Sequence, residues 1–261
     1  MVIASYLIAG MFAGLVGGLL GVGGGIIVVP VLILVFESQG FSALVLTHMA
    51  IGTSLATIVF TSASSVLNHH RLGSVEWTIF KHMSIGIVAG AIAGVFVVTQ
   101  LEGIWLRKMI GLFAVLMAGK MLVASASLSQ RQLPASHVLA SVGGVIGGIS
   151  SMLGIGGGTL SVPFLSRYRL EMRQVIGTAA ACGLPIAIAG ALTNMSLGQG
   201  VEGRPNWSVG FVYLPALFGI AVTSVFFARI GARLAHRLSA ITLRRLFSTA
   251  LLIVGIKFLA F

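Results

Sequence analysis

Charged residues are scarce in this chain. They make up only 8% of its 261 residues, whereas hydrophobic residues make up 57% and the mean hydropathy is +1.08. A soluble domain of this length carries about 25% charged residues. A chain so poor in charge cannot cover a surface that faces water, so its outer surface is expected to face lipid. This leaves no room for a separate soluble domain.

Cysteine is almost absent as well. Cys182 is the only one, and it lies inside an apolar segment. A single cysteine excludes a disulfide within the chain, a thiolate metal site and dithiol redox chemistry. The glycine clusters also lack the Gly-Lys-Ser/Thr ending of an ATP-binding loop. Because no nucleophile, base or metal-ligand set is visible either, we expect no cofactor, no metal and no enzyme activity.

Acidic residues are also scarce. The chain has no aspartate, and its five acidic residues are all glutamate. Proton pumps and cation carriers usually need a carboxylate embedded in the membrane, which favours an anionic or neutral solute here. The glutamates fall in or beside the predicted loops, at Glu37, Glu76, Glu102, Glu171 and Glu202.

Basic residues give the chain a formal charge of +11, but their distribution argues against nucleic acid as a partner. They occur singly or in short groups between apolar segments. No basic helix face and no alternation with aromatic residues accompanies them. Membrane proteins keep their cytoplasmic Lys and Arg at such positions.

Apolar segments predict the helices. Segments of about 20 residues can cross a hydrocarbon core as one helix, whereas the short segments 26–36 and 157–166 cannot. Each short segment follows a longer one after a glycine cluster, which predicts a helical hairpin that enters the membrane and returns to the same side. The segments lie at 3–20, 26–36, 44–67, 79–99, 104–124, 137–153, 157–166, 174–196, 208–228 and 242–261.

The two halves of the chain repeat each other. Residues 20–30 read LGVGGGIIVVP, and residues 153–163 read LGIGGGTLSVP. Similar anchors in the same order predict a duplicated unit, with a first repeat over 1–128 and a second over 129–261 of a single membrane domain. The other anchors are Gly52-Thr53 with Gly177-Thr178, and Leu106-Arg107-Lys108 with Leu243-Arg244-Arg245.

The distribution of Lys and Arg predicts the orientation. If each half is a hairpin followed by three crossings, all of them share one side except Arg107, Lys108, Arg204 and Lys257. The positive-inside rule assigns the basic side to the cytoplasm, so both termini are expected outside. The predicted fold is therefore an all-α integral membrane protein of two inverted repeats, each a glycine-broken helical hairpin plus three transmembrane helices. Secondary transporters with a midplane site commonly use this plan.

The glycine clusters supply the first candidate binding residues. Each places bare backbone at a helix break within the membrane, where only protein or a wet cavity can satisfy it. The next helix begins with unpaired N–H groups at the positive end of its dipole. Two such ends brought together would bind an anion, while close helix packing is the alternative role. The candidates are Gly23, Gly24, Gly25, Gly156, Gly157 and Gly158.

Proline, hydroxyl and amide residues near these clusters are further candidates. Proline inside a helix frees a carbonyl and bends the axis, and hydroxyl and amide groups can donate to an anionic oxygen. Hydroxyls also bond to their own helix, so a structural role stays open for them. The candidates are Pro30, Pro163, Thr53, Ser54, Thr178, Asn68 and Asn194.

With these residues the chain resembles the sulfite exporter TauE/SafE family of bacterial permeases, also called the toluene-sulfonate uptake permease family. The resemblance rests on the duplicated LG(V/I)GGG-x4-P hairpins at 20–30 and 153–163, on the two Gly-Thr steps and on the length, and it covers essentially the whole chain. It implies a multi-pass permease of the bacterial inner membrane that exports sulfite, sulfonates or related organosulfur anions and is coupled to the proton gradient. Its partners would be the lipid bilayer, a small anion and protons, and a homo-oligomer stays open.

Other classes compete with this interpretation. An anion channel of the same architecture would pass current without exchanging labelled for unlabelled solute. A permease for another small solute is a further alternative, and a membrane enzyme or assembly factor is a third.

Overall fold

The computed structural model describes residues 2–20, 25–123, 132–235 and 240–260. This part of the chain folds into ten α-helices and two short strands. The predicted boundary between the repeats, at residue 128, lies outside the described residues. The helices are α1 (Val2–Leu20), α2 (Gly25–Ser38), α3 (Leu46–Arg71), α4 (Trp77–Thr99), α5 (Gly103–Val123), α6 (Ser136–Met152), α7 (Gly158–Leu165), α8 (Met172–Leu197), α9 (Leu214–Ala235) and α10 (Ala240–Ala260).

The helices follow the apolar segments closely, which confirms a helical membrane protein. The strands are the departure from the all-α prediction. β1 (Ser208–Val209) and β2 (Val212–Tyr213) form a two-stranded antiparallel hairpin before α9. Gly210, with φ of +56°, allows the tight turn between them. Strands of two residues leave no periodic signal along the sequence.

The second helices of the two hairpins, α2 and α7, are short. Their 14 and 8 residues rise about 21 Å and 12 Å, less than the thickness of a hydrocarbon core. The break after α6 is a Schellman turn. Gly154 has φ of +65°, its N–H donates to the Ser151 carbonyl at 3.3 Å, and the N–H of Ile155 donates to the Ser150 carbonyl at 2.9 Å. Glycine is needed there because its φ is positive.

Helices of the first half pack against helices of the second. In the centre α3 lies beside α8, and around this pair α1 packs against α9, α4 against α6 and α5 against α10. In addition, α3 contacts α2 and α9, while α8 contacts α7 and α4. Each helix of α1–α5 has a counterpart in α6–α10, with α1 corresponding to α6 and α5 to α10. When every helix is replaced by its counterpart, these same pairs are obtained.

Glycines bring the outer helix pairs close together. A Cβ atom built on Gly90 of α4 would lie 2.7 Å from the carbonyl carbon of Gly144 in α6. A Cβ on Gly14 of α1 would lie 2.6 Å from the Cα of Ser224 in α9. Small residues allow such backbone contact between helices in lipid, so these glycines serve packing.

The outer surface of the bundle is apolar. Three helices, α3, α4 and α8, are long and apolar enough to cross a membrane by length and composition. Shorter apolar stretches lie at Ser5–Leu15, Gly25–Ser38, Ser136–Met152, Leu214–Phe227 and Leu251–Ala260. A water-soluble surface rarely carries such a concentration of large apolar side chains. Exposed examples are Ile8, Ile85, Phe96, Leu116, Phe226 and Ile256.

Candidate functional site

The two glycine breaks meet inside the bundle. A Cβ atom built on Gly25, the first residue of α2, would lie 2.8 Å from the amide nitrogen of Gly156 and 3.0 Å from the Cα of Ile155. Gly156, Gly157 and Gly158 are buried, and α7 begins at Gly158. The N-terminal ends of α2 and α7 therefore lie beside each other. We call this region the glycine contact.

The central helices α3 and α8 enclose the glycine contact. Ser54 of α3 is fully buried, and its hydroxyl donates to the carbonyl oxygen of Gly154 at 2.8 Å. A Cβ built on Gly157 would lie 2.8 Å from the amide nitrogen of Gly183 in α8. Ser54 thus fixes the turn before the second break, while Gly157 and Gly183 allow α7 to approach α8.

The electrostatics of the glycine contact favour an anion. The N–H groups in the first turn of α7 have no partner within the helix and carry the positive end of its dipole. The N-cap residue, Gly157, supplies no side-chain hydrogen bond to them. No acidic residue occurs in 25–36 or 150–170. Nothing in these two segments therefore neutralises the two helix ends.

Three hydroxyls beside the second break have no hydrogen-bond partner within the described part of the chain. Those of Ser150 and Ser161 belong to fully buried residues, and that of Thr159 to a half-buried one. Buried polar groups are normally hydrogen-bonded, and leaving one unpaired costs about 1–3 kcal/mol. Sequence reasoning missed these residues, although their positions around the repeated glycine motif could have pointed to them. Their unused hydrogen-bonding capacity is typical of a site that accepts a ligand.

The two motif prolines lie within the short helices. Pro30 is buried in α2, and Pro163 is half-buried in α7. Since proline has no N–H, the carbonyls of Ile26 and Thr159 lack their usual intrahelical donor. Both carbonyls belong to the first turn after a glycine break, so the prolines add free acceptors close to the glycine contact.

The two Gly-Thr steps hold the starts of α4 and α9. Thr178 Oγ1 accepts a hydrogen bond from the N–H of Glu76 at 2.9 Å, and Thr53 Oγ1 accepts one from the N–H of Tyr213 at 3.0 Å. The preceding glycines leave room for the same loops, since a Cβ on Gly52 would lie 2.6 Å from the Phe211 carbonyl oxygen. Each threonine therefore caps a helix of the other half.

Removing one cap is expected to lower stability. In Thr178→Val the N–H of Glu76 loses its acceptor while side-chain volume is nearly unchanged, so the free energy of unfolding should fall by about 1 kcal/mol. Thr178→Ser keeps the oxygen and should retain most of that stability. Thermal unfolding of both variants in detergent measures the difference. A Thr178→Val protein as stable as Thr178→Ser would show that the hydrogen bond does not support α4.

The structure separates several predicted site residues. Asn194 is fully buried beside Gly52, with its Cβ 3.2 Å from a Cβ built on that glycine. Thr178 lies sixteen positions earlier on α8, about 24 Å away along the helix. Asn68 is exposed near the end of α3, about 21 Å along that helix from Ser54. The hydroxyl of Thr178 bonds to the N–H of Glu76, and the roles of Asn68 and Thr178 in the solute path stay predictions.

Two predicted residues of the first glycine cluster, Gly23 and Gly24, lie outside the described residues. Their role stays a prediction.

A cavity that is separate from the glycine contact lies at one end of the bundle, and sequence reasoning missed it. It has a volume of about 940 Å³ and is lined in part by Glu37, His48 and Arg107. His48 Nε2 donates to the carbonyl oxygens of Val98 and Leu101, at 3.1 Å each. The only sequence signal for this region is the repeated Leu-Arg-Lys anchor, which does not reveal that Arg107 pairs with a residue 70 positions away.

Helix ends that stop inside the membrane, with their unpaired N–H groups beside a solute path, are characteristic of membrane transporters. The chain belongs to the sulfite exporter TauE/SafE family, whose family model matches residues 6–258. This confirms the resemblance inferred from the glycine-proline hairpins and the Gly-Thr steps.

The relatives support the same class. A probable membrane transporter protein of Haemophilus influenzae is 35% identical over 96% of this chain and 96% of its own length. A probable membrane transporter protein of Methanocaldococcus jannaschii is 26% identical over 96% of this chain and 92% of its own length. Another from Bacillus subtilis is 26% identical over 95% of this chain and 94% of its own length. No solved structure matches the chain significantly.

Proposed function

We propose that this protein is a secondary transporter that exports sulfite, a sulfonate or a related small organosulfur anion across the bacterial inner membrane. The glycine contact carries this proposal, because it joins two helix N-termini without a neutralising acid in either segment. Such a site favours an anion over a cation. The organosulfur class comes from the family to which the chain belongs.

We propose that the solute binds the backbone N–H groups of the glycine contact and the hydroxyls beside it. The binding residues would be Gly25, Gly156, Gly157 and Gly158, with Ser54 and Pro163 close by. Ser150 and Ser161 would supply hydrogen bonds that no group among the described residues uses. The solute path on either side of the glycine contact would be shaped by Thr53, Thr178 and Asn194.

Alternating access would follow from two inverted repeats, 1–128 and 129–261. Two observations support this arrangement. The main helix pairs are exchanged with one another when α1–α5 are exchanged with α6–α10, and each Gly-Thr step caps the equivalent helix of the opposite half. With both termini outside, the side rich in Lys and Arg would face the cytoplasm, as the positive-inside rule favours.

Replacing Ser161 with alanine is expected to weaken transport without weakening the fold. The Ser161 hydroxyl is buried and unpartnered, so its removal should leave the free energy of unfolding unchanged or raise it by about 1 kcal/mol. If the hydroxyl donates to the solute, KM should rise about tenfold. Ser166→Ala is the control, since the Ser166 hydroxyl bonds to the Pro163 carbonyl within α7 at 3.3 Å. An unchanged KM in Ser161→Ala would remove Ser161 from the site.

Flux in proteoliposomes tests the function itself. Sulfite, sulfoacetate and taurine are supplied as labelled solutes, with and without a pH gradient. We expect saturable flux of at least one of the anions, faster when the pH gradient drives it. If none of the three moves, the proposed solute class is wrong.

Exchange distinguishes a carrier from a channel. A carrier moves labelled solute faster when unlabelled solute is present on the opposite side, whereas a channel passes current without such acceleration. Conductance without exchange would replace the transporter proposal with an anion channel of the same architecture.

A further inference from the structure

The cavity of about 940 Å³ at one end of the bundle collects charged residues that neither the family nor the glycine contact explains. It lies where α2, α4 and α8 end and where α3 and α5 begin. These ends are on the side opposite the predicted cytoplasmic loops. Its polar lining residues include Glu37, Thr47, His48, Gln100, Glu102 and Arg107.

Arg107 is the basic residue of this lining. Its guanidinium carbon lies 5.0 Å from the ring centroid of Phe258, so the aromatic face of α10 supports it. It forms an ion pair with Glu37 in the last turn of α2. The side chain of Arg107 is only 17% exposed, and its Nε is buried without a hydrogen-bond partner. Arg107 thus lines the cavity with a partly buried guanidinium whose pairing with Glu37 leaves its Nε donor unused.

Glu37 occupies the position that an anionic solute would take. A guanidinium binds carboxylates and other oxyanions through the same planar arrangement of N–H groups. The Glu37 side chain is twice as exposed as that of Arg107, at 35%, so water reaches the carboxylate more easily than its partner. A small oxyanion entering the cavity would compete with Glu37 for Arg107.

Helix α3 connects the cavity with the glycine contact. His48 lines the cavity, and Ser54, which bonds to Gly154, lies six residues further on the same helix. At 1.5 Å per residue this is about 9 Å. Arg107 and the glycine contact would thus act in sequence on one path.

We propose that this cavity is an outward-facing subsite for a small organosulfur oxyanion, in which Arg107 is the binding residue and Glu37 is the carboxylate that the solute displaces. The proposal rests on the anion transport proposed above. A purely structural ion pair between α2 and α5 is the competing explanation. The two explanations predict opposite changes in KM when Glu37 is replaced. In the subsite, the replacement frees Arg107 for the solute and lowers KM. In a purely structural pair, it removes a support between α2 and α5 and does not lower KM.

The test compares Arg107→Gln, Glu37→Gln and the double variant in proteoliposomes with labelled sulfite and sulfoacetate. We expect Arg107→Gln to raise KM about tenfold or more, since a charge-assisted hydrogen bond is lost. Glu37→Gln should lower KM at least about threefold, because the carboxylate no longer competes. The double variant should behave as Arg107→Gln does.

Two matched controls exclude a general effect of charge. Lys108→Gln removes the same charge from the neighbouring exposed position, where Lys108 lies over the ring of Trp105. Glu202→Gln removes a negative charge from an exposed position on the same side of the bundle, outside the cavity lining. Both should leave KM within about twofold of wild type, because field effects of exposed charges are screened by salt. If Glu37→Gln raises KM, or if Lys108→Gln matches Arg107→Gln, the subsite proposal is wrong.

A labelling measurement does not depend on transport. Gln100→Cys places a thiol at the cavity wall, while the native Cys182 is buried. In intact cells an impermeant thiol reagent bearing a sulfonate should react faster than a cationic one, and sulfoacetate should slow it. Adding Arg107→Gln should abolish both effects. Equal rates for the two reagents, or no dependence on Arg107, would overturn the subsite even if flux is normal.

The two proposals therefore fail separately. Wild-type proteoliposomes that move neither anion would contradict the proposed transport function, whatever the labelling shows. Normal flux with an unchanged KM in Arg107→Gln would contradict the subsite alone. Should Arg107→Gln fold poorly, Arg107→Lys keeps the charge and loses the planar geometry, and a KM equal to wild type would then count against the subsite.

Discussion

Gly25→Leu is expected to reduce transport to background while leaving a folded protein in the membrane. A Cβ atom at this position would already lie 2.8 Å from the Gly156 amide nitrogen and 3.0 Å from the Ile155 Cα, and these backbone atoms cannot move independently. The larger side chain must push the ends of α2 and α7 apart. The outer helix pairs are not part of this contact, so insertion and assembly should survive.

The measurement is solute flux in proteoliposomes, with expression level and thermal unfolding as checks on folding. Gly119→Leu is the matched control. It introduces the same side chain at a helical glycine of α5 that is exposed and has no other atoms within 4 Å of a built Cβ. Transport at the wild-type rate in Gly25→Leu would show that the glycine contact is not the solute site.

Gly90→Leu is expected to prevent the protein from assembling. A Cβ on Gly90 of α4 would lie 2.7 Å from the carbonyl carbon and 2.9 Å from the Cα of Gly144 in α6. The two helices must separate along this contact, and the packing that holds them in lipid is lost. We expect a loss of at least about 3 kcal/mol in stability, which should appear as little folded protein in detergent.

Gly90→Ala is expected to lower stability less than Gly90→Leu does. It carries the clashing Cβ atom without the rest of the leucine, so its loss of stability should be smaller and its folded fraction intermediate. Size-exclusion chromatography and thermal unfolding report both values, and Gly119→Leu again controls for leucine in an exposed helix. Normal yield and stability of Gly90→Leu would show that α4 and α6 do not depend on close backbone contact.

Most helices could be predicted because their signal is local. The apolar segment 79–99 corresponds to α4 (Trp77–Thr99), and 104–124 corresponds to α5 (Gly103–Val123). The length of an apolar run sets how much of a helix lipid can cover, and this length is visible in the sequence alone. The two-residue strands before α9 were missed, since four strand residues show no periodicity.

The candidate site was predictable only in part. The repeated glycine clusters pointed to the starts of α2 and α7, which lie beside each other in the structure. The same residue type at Gly14 and Gly90, however, serves helix packing, and nothing in a local motif distinguishes the two uses. The threonines of the Gly-Thr steps were predicted as path residues, and the structure shows that each accepts a backbone N–H from the other half.

Apolar run length, the scarcity of acid and the spacing of repeated glycines are properties of neighbouring residues, so the sequence alone indicates the membrane class and the helices and predicts the duplication. Partners across the fold are different. Gly25 lies against Gly156, Ser54 bonds to Gly154, and Arg107 pairs with Glu37. These contacts join residues 70 or more positions apart, and they exist only after helix packing brings distant parts of the chain together.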